Sequence, residues 1–349
     1  MRMPLFLFLT LLLAACQRDF PVNPDAVEVY ALVETTPVQS SLDAADDPAI
    51  WIHPVDVTRS LVLGTDKRNG LAVYNLQGQL VQFLDRGRLN NVDLRSNISV
   101  GNALVTLVVA TNRTEDALDI FGISADGVVE HLLAQPVTLD DPYGVCMQRN
   151  AAGQAIVFAN STDGQYQQWL LNPDGALAPR LLGSFKLDSQ PEGCTVDDVS
   201  SVLYMGEEDR GIWVMPADYA QAEQRSLLDS VLSGQIVDDV EGMDVYRRND
   251  ELYLIVSSQG DHSFALYDLA QDNRYLGSVR IADNPANGVD GAEETDGLAV
   301  TAVAVDARFP DGLLVVQDGY NLNPQENQNF KLLSWREVLQ AAKQATAGR

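Results

Sequence analysis

The sequence predicts an all-β protein, a six-bladed β-propeller whose ring is closed by an N-terminal strand and followed by a short C-terminal helix. Short apolar and β-branched runs with turn residues between them dominate the chain, and strong helical periodicity is nearly absent. One acidic motif recurs six times, at intervals of 44 to 55 residues. A repeat near fifty residues that contains several strands is typical of a propeller blade.

The first fifteen residues, 1–15, are predicted to be a lipoprotein signal peptide rather than part of the fold. Arg2 precedes an apolar run that is too short to span a bilayer. The run ends in L-A-A-C at 13–16, which looks like a bacterial lipobox, so we expect Cys16 to become the lipid-bearing N-terminus. A plain signal peptide with an incidental cysteine is the alternative. Gln17, rather than an aspartate, follows that cysteine and resembles the signal for sorting to an outer membrane. We therefore expect a lipid-anchored protein of the bacterial cell envelope, in the outer membrane, with secretion as the alternative.

Residues 16–41 are predicted to form an anchor linker and the ring-closing strand. The run VEVYALVE (27–34) alternates apolar and polar residues and precedes the first repeat, so we expect it to complete the last blade. Residues 42–336 are the predicted six-bladed domain. S-W-R-E at 334–337 is a capping box, which predicts a helix and tail over residues 337–349.

Each blade is predicted from an acidic or polar motif, a small or turn residue and an apolar strand. The six copies are DDPAIWIHP (46–54), NNVDLRSN (90–97), DPYGVCMQR (141–149), QPEGCTVDD (190–198), DVEGMDVYR (239–247) and ETDGLAVTA (294–302). A second β run follows each copy, reaches a polar tip and returns as a third run. Because antiparallel strands return to the same end, we expect the motifs and the tips to surround one axial mouth.

This mouth is predicted to be rich in carboxylates and to contain a few cations. Its expected acids are Asp46, Asp47, Glu192, Glu207, Glu208, Asp239, Glu241, Asp290, Glu294 and Asp296. Its amides are Asn90, Asn91 and Gln259, and its bases are Lys67, Arg68 and Arg113, with Tyr143 beside them. Crowded carboxylates cannot all ionise unless cations intervene. Oxygen ligands without nearby histidine or thiolate favour Ca²⁺, and a solvated acidic rim is the alternative.

Several function classes are excluded by composition or by missing motifs. The net charge of −26 disfavours nucleic acid and anionic lipid as partners. The three histidines show no zinc spacing, and the chain contains no G-x-S-x-G elbow and no Arg-His-Gly. Neither cysteine of the propeller has an arginine six residues on. The remaining mechanism is metal-assisted attack by water on an anion that is held by Lys67, Arg68 and Arg113. The basic tips therefore predict a pocket for a polyphosphate.

Two further features leave alternatives open. Cys146 and Cys194 each lie early in an expected inner strand, where either a disulfide or two buried thiols is possible in an envelope compartment. The segment 283–294 has glycine and glutamate at EF-hand spacing, but Pro285 takes a ligand position and no flanking helices are expected. A calcium loop of another shape remains open there.

These residues resemble the β-propeller phytases, calcium-dependent enzymes that hydrolyse myo-inositol hexakisphosphate (phytate). DDPAIW, LNNVD, NRTE, YG, PEG, GEED, DVEG, SSQG, ETDG and NQNFK occur in the family's order over roughly residues 42–336. The resemblance implies ligands for several calcium ions at Asp46, Asp47, Glu192, Glu208, Asp239, Glu241, Gln259, Asp290 and Asp296. It implies phosphate contacts at Lys67, Arg68, Arg113, Tyr143 and Asp163. Catalysis is expected from Lys67, Arg113, Tyr143, Glu208 and Glu241.

The resemblance also implies adjacent cleavage and affinity subsites, and here the chain departs from the family. Thr162 stands where the family typically has a lysine, which removes a phosphate donor from the affinity subsite. We expect a monomer that acts on phytate and meets the membrane only through its lipid. A calcium-dependent propeller lactonase and a non-catalytic lipoprotein that binds calcium or phosphorylated sugars are the alternative functions.

Overall fold

The structure is a computed structural model that describes residues 22–347, and within that range the strands form six sheets. The predicted signal peptide and Cys16 lie outside the described residues. Two strands precede the first blade, β1 (Val27–Tyr30) and β2 (Val33–Glu34). Four of the sheets are four-stranded antiparallel meanders of consecutive strands, and the last two each receive one of the N-terminal strands. The predicted six-bladed propeller is therefore confirmed.

The first three blades are meanders of four consecutive strands each. Their strands are β3 (Ala45–Trp51), β4 (Leu61–Asp66), β5 (Gly70–Asn75), β6 (Leu80–Asp85), β7 (Leu89–Val100), β8 (Ala103–Asn112), β9 (Ala117–Ile123), β10 (Val129–Pro136), β11 (Pro142–Arg149), β12 (Ala155–Ser161), β13 (Gln165–Leu170) and β14 (Arg180–Lys186). A 3₁₀ turn, Val57–Arg59, joins β3 to β4.

The last three blades follow the same plan, except that the sixth has only three strands of its own. Their strands are β15 (Pro191–Asp197), β16 (Val202–Glu207), β17 (Gly211–Pro216), β18 (Ser226–Ser230), β19 (Val240–Arg248), β20 (Glu251–Ser258), β21 (Ser263–Asp268), β22 (Arg274–Ala282), β23 (Leu298–Thr301), β24 (Leu313–Asp318) and β25 (Asn329–Ser334). Two further 3₁₀ turns are Tyr219–Gln224 and Gln259–Asp261, and the one α-helix among the described residues is α1 (Trp335–Ala347).

The blades pack face to face, which explains the continuous apolar runs in the second strands of the blades. On β4, Leu61 and Leu63 pack toward the second blade, whereas Val62 packs toward the sixth. Successive side chains of a strand point to opposite faces of its sheet, so consecutive apolar residues are expected where a strand is buried on both faces. The core is consequently a ring of six inter-blade clusters.

A β-bulge in the inner strand of each of the first five blades turns the motif residues into the mouth. Pairing with the second strand slips by one residue at 45/48, 89/92, 142/145, 191/194 and 240/243. The two residues inside each slip are the motif positions, such as Asp46 and Asp47 in the first blade. A bulge bends its strand and redirects the side chain there, so the repeat turns polar side chains of these five blades toward the axis.

The glycines of the motif allow the inner strands to approach closely. A Cβ on Gly193 would lie 2.3 Å from the carbonyl oxygen of Glu241. A Cβ on Gly242 would lie 2.6 Å from that of Asp296. Because no side chain fits at these contacts, each motif glycine brings the next blade's acidic residue close to the preceding strand.

The N-terminal run closes the ring, but it divides between two blades. Strand β2 pairs antiparallel with β25 and is the outer strand of the sixth blade. Strand β1 instead pairs parallel with β22 as a fifth strand of the fifth blade. The prediction that the whole run 27–34 completes the last blade is therefore wrong for residues 27–30. Val29 and Ala31 are buried in the cluster between these two blades, which accounts for the apolar positions of the run.

A disulfide and a C-terminal helix complete the fold. Cys146 and Cys194 form a disulfide that joins the inner strands of the third and fourth blades, so the two-thiol alternative is wrong. Helix α1 begins at Trp335, two residues before the predicted start, and Trp335 stacks on Tyr246 with ring centroids 4.6 Å apart. None of the helices within residues 22–347 is long and apolar enough to cross a membrane.

Candidate functional site

A cavity of about 630 Å³ opens at the axial mouth, where the bulges and the blade tips converge. The predicted mouth residues that line it are Lys67, Tyr143, Glu192, Glu241, Gln259, Glu294 and Asp296. The inner-strand bulges supply Tyr143, Glu192 and Glu241. Lys67 and Gln259 follow the second strands of the first and fifth blades. The repeat therefore brings together residues that are far apart in the chain.

Three glutamates form the densest group of carboxylates in the mouth. Glu192, Glu208 and Glu241 each offer an oxygen, and these three oxygens lie within 4.8 Å of one another. Oε1 of Glu208 accepts a 2.6 Å hydrogen bond from the side chain of Gln190. Oε2 of Glu241 is buried and has no hydrogen-bond partner. A buried carboxylate oxygen without a donor is costly, so this atom is a place where a cation fits.

The electrostatics of the group are consistent with a cation between the carboxylates. Burial, followed by the charge of Glu192, raises the pKa of Glu208 to about 7. Burial and the same neighbour also raise the pKa of Glu241 well above its usual range. Burial raises the pKa of Asp296 to about 6, although Lys67 opposes the shift. These groups resist ionising together unless positive charge is added, and an all-oxygen donor set suits calcium.

Lys67 is surrounded by carboxylates from two blades. Its Nζ lies 2.7 Å from Asp43 Oδ1, 2.8 Å from Asp296 Oδ2 and 3.3 Å from Asp46 Oδ2. Burial favours the neutral amine, but Asp296, Asp46 and Asp43 raise the pKa of Lys67 above its usual value. The ammonium is therefore charged and held at the edge of the mouth. Asp43 was not predicted, and its only sequence signal is its position just before the first motif.

Arg113 is oriented by a second set of contacts. Its Nε donates to Asp141 Oδ1 at 2.7 Å, and its Nη2 also contacts Asp141. Nη1 donates to Asn90 Oδ1 at 3.0 Å, and the guanidinium carbon lies 5.4 Å from the centroid of the Tyr143 ring. The charge of Glu192, followed by burial, raises the pKa of Tyr143, so its phenol remains a hydrogen-bond donor. Asp141 was also missed, although it opens the third motif.

A second cavity, of about 390 Å³, adjoins the mouth and is basic. It is lined by Asp43, Lys67, Arg68, Arg88 and Arg113. Lys67 lines both cavities. Arg88 was not predicted, and the one signal that could have found it is its place directly before the LNNVD motif.

Some of the predicted ligands are engaged in structural contacts. Asp47 Oδ2 accepts from the backbone N–H of Val92 at 3.0 Å, a bond between the first and second blades. The backbone carbonyl of Asp239 accepts from the N–H of Gln259 at 3.0 Å. The Gln259 side chain donates to Asp296 Oδ1 at 2.6 Å.

Asp290 and Asp163 stand apart from the mouth cavity, as does Glu207, whose carboxylate accepts from Trp213 Nε1 at 2.7 Å. Asp290 lines a neighbouring cavity of about 530 Å³ and contacts Lys331, a fully buried ammonium that also lies 2.7 Å from Glu34. A calcium ion at Asp290 would have to share the carboxylate with that ammonium. Asp163 lies on the exposed tip of the third blade, and a 3.0 Å ion pair joins it to Lys186.

Comparison with known proteins identifies the family of this chain. A sequence model of the family described as Phytase matches residues 6–347. The 3-phytase of Bacillus subtilis (strain 168) is 33% identical over 328 residues, which span 90% of this chain and 85% of that protein. A solved structure of a functionally unknown protein from Desulfotomaculum acetoxidans DSM 771 covers 69% of this chain and 73% of its own, at 14% identity. The TM-score of that match is 0.47. The chain belongs to the β-propeller phytase family and is a phosphate-releasing hydrolase.

Proposed function

We propose that this protein is a calcium-dependent phosphomonoester hydrolase that releases phosphate from phytate. The observation that carries the proposal is the contact between an acidic and a basic cavity through Lys67, which lines both. A phosphate group is an anion that must be held by cations while its reacting face meets the metal and water. The relative from Bacillus subtilis, which is a 3-phytase by name, supports phytate as the substrate.

The residues that would hold calcium are the three glutamates, with Asp46, Asp296 and Gln259 next to them. The donor set is entirely oxygen, and the unpartnered Oε2 of Glu241 lies within it. When bound, Ca²⁺ supplies the positive charge that lets these carboxylates ionise together and makes nearby water a better nucleophile.

The cationic residues would bind and orient the phosphate. Lys67 and Arg113 are fixed by ion pairs before substrate arrives, so little reorganisation is needed when negative charge develops on the phosphoryl oxygens. The protonated phenol of Tyr143 lines the mouth cavity and can donate to a phosphate oxygen. Asn90 connects the glutamates to the cationic residues, because its Nδ2 lies 3.3 Å from Glu192 Oε1 while its Oδ1 accepts from Arg113.

The test is phosphate release from phytate by the purified protein in calcium, in a chelator, and after calcium is restored. We expect release only with calcium, and the restored sample should recover. Release that is unchanged by the chelator would contradict the calcium requirement. A protein that hydrolyses a lactone but not phytate would contradict the substrate and favour the lactonase alternative.

We also infer that the protein is anchored to the bacterial envelope through a lipid on Cys16. The inference depends on the L-A-A-C sequence at 13–16 behind a short apolar run. Mass spectrometry of the mature N-terminus should find an acylated cysteine. A mature terminus at any other residue would contradict it.

A further inference from the structure

We propose that Arg88 binds a second phosphate of the substrate and so provides a subsite beside the one formed by Lys67 and Arg113. The inference rests on the proposed hydrolysis of phytate, whose phosphates occupy neighbouring carbons. It assigns a role to a residue outside the predicted site. Three features support this role: the basic cavity, the contacts of its four cations and the attachment of the Arg88 backbone.

The basic cavity is of a suitable size and charge for a phosphate group. Its volume of about 390 Å³ lies within the range of about 300–1,000 Å³ typical of small-molecule sites. Four of its five lining residues are cations, and the fifth is Asp43. In a chain with a net charge of −26, four cations around one cavity indicate a site for an anion.

Arg88 differs from the other three cations because its guanidinium is not already engaged by another described group of the protein. Lys67 is held by three carboxylates and Arg113 by Asp141. Arg68 Nε donates to the carbonyl oxygen of Asp43 at 2.8 Å. Among residues 22–347, the guanidinium of Arg88 makes no hydrogen bond or ion pair, and the residue is exposed. Its planar group can therefore offer two parallel N–H donors to a phosphate.

The backbone of Arg88 is fixed to the tip that carries Arg113. The N–H of Arg113 donates to the carbonyl oxygen of Arg88 at 2.8 Å. The N–H of Arg88 donates to Thr114 Oγ1, also at 2.8 Å. Gly87 has a φ of 73°, and a Cβ there would lie 2.6 Å from the same hydroxyl oxygen. This segment therefore holds the two arginines side by side.

The position of Arg88 also allows it to replace the cation that is missing from the third blade. Thr162 has no charge where the family resemblance implies a lysine donor. A phosphate next to the one at Lys67 and Arg113 could then be bound on the side of the first and second blades, where Arg88 is available. A substrate with neighbouring phosphates would gain from Arg88, whereas an ester with a single phosphate would not.

The experiment compares Arg88→Gln and Arg88→Lys with the wild type on phytate and on p-nitrophenyl phosphate, a single-phosphate ester. Loss of a charge-assisted pair should raise KM for phytate about tenfold more than KM for the monoester, and lysine should recover part of the loss. Arg59→Gln is the matched control, because Arg59 is an exposed arginine in the turn between β3 and β4, at the opposite end of the first blade. Calorimetric titration of phytate into each variant reports binding separately from turnover.

The outcomes separate the two proposals. If the wild type releases no phosphate from phytate, the proposed function fails. If the wild type is active but Arg88→Gln keeps the wild-type KM ratio and phytate affinity, only the role of Arg88 is overturned. Equal increases in KM for both substrates would also overturn it, because Arg88 would then bind the phosphate that is cleaved. A similar change in Arg59→Gln would indicate a general charge effect and overturn the subsite as well.

Discussion

Replacement of Lys67 by methionine should remove both a phosphate donor and the counter-charge of a buried acidic group. The ammonium lies between 2.7 and 3.3 Å from carboxylate oxygens of Asp43, Asp46 and Asp296. Methionine retains a flexible unbranched stem but carries no charge and no donor. The variant therefore changes the electrostatics of the mouth more than its packing.

The expected losses in rate and stability are large. Loss of one preorganised donor to transition-state charge typically lowers kcat by about 10² to 10³, so turnover of phytate by Lys67→Met should fall at least about a hundredfold. Breaking a buried ion pair costs about 3 to 5 kcal/mol. We expect a loss near the lower value, about 3 kcal/mol, in a chelator, because Asp43 is exposed. Calcium should reduce the loss, since it can neutralise the same carboxylates.

The assay combines steady-state phosphate release across a calcium series with denaturant unfolding in calcium and in chelator. Lys343→Met is the control, because Lys343 lies on α1 with its ammonium 5.1 Å from the centroid of the Tyr253 ring, away from the mouth. Wild-type turnover in Lys67→Met would refute the assignment of Lys67 to the phosphate site. A loss of stability that is the same in calcium and in chelator would refute the shared use of its carboxylates.

Three other predictions concern pH, the disulfide and the N-terminal strand. In a chelator, the free energy of unfolding should fall as the pH rises from about 4 to 7, because burial raises the pKa of Glu208 to about 7 and the folded state keeps protons that the unfolded state releases. Calcium should abolish that fall, and a flat profile in chelator by pH-resolved denaturant titration would count against the shift. Replacing both Cys146 and Cys194 by serine opens a link across 48 residues and should cost about 4 kcal/mol in urea titration, with phosphate release retained; an unchanged unfolding midpoint would contradict it. Val29→Ala should cost about 2 kcal/mol by thermal unfolding because Val29 is buried between two blades, whereas equal stability would show that β1 contributes little to closure.

Most of the fold and the centre of the site could be predicted because each blade repeats one local pattern. Glu192, Glu241 and Asp296 each stand directly before a glycine and an apolar strand. The similar spacing implies equivalent positions around a ring, and the bulges supply the inward turn at the first two of them. Because each repeat places its acidic motif at the same position of a blade, six repeats arranged in a ring bring these motifs together at one mouth.

The partners of these residues could not be predicted in the same way. Lys67 pairs with Asp296, which is 229 residues away. Lys331 ends the NQNFK motif and was given no partner by the sequence, yet it is fully buried against Asp290, a predicted metal ligand. The spacing of a repeat describes where a backbone position lies, but the partner of a long side chain depends on which neighbours surround it after folding.

Six blades, the face on which the motifs meet and the acidic character of that face were all predictable from local sequence patterns. These properties follow from strand length, turn residues and the repeat period, all of which act over short stretches of chain. Three features became apparent only in the folded protein: the division of the N-terminal run between two blades, the disulfide between Cys146 and Cys194, and the location of Arg88 beside Arg113. Each of these depends on contacts between different blades or between loops, and such contacts are selected by packing and charge across the assembled ring rather than by any local pattern.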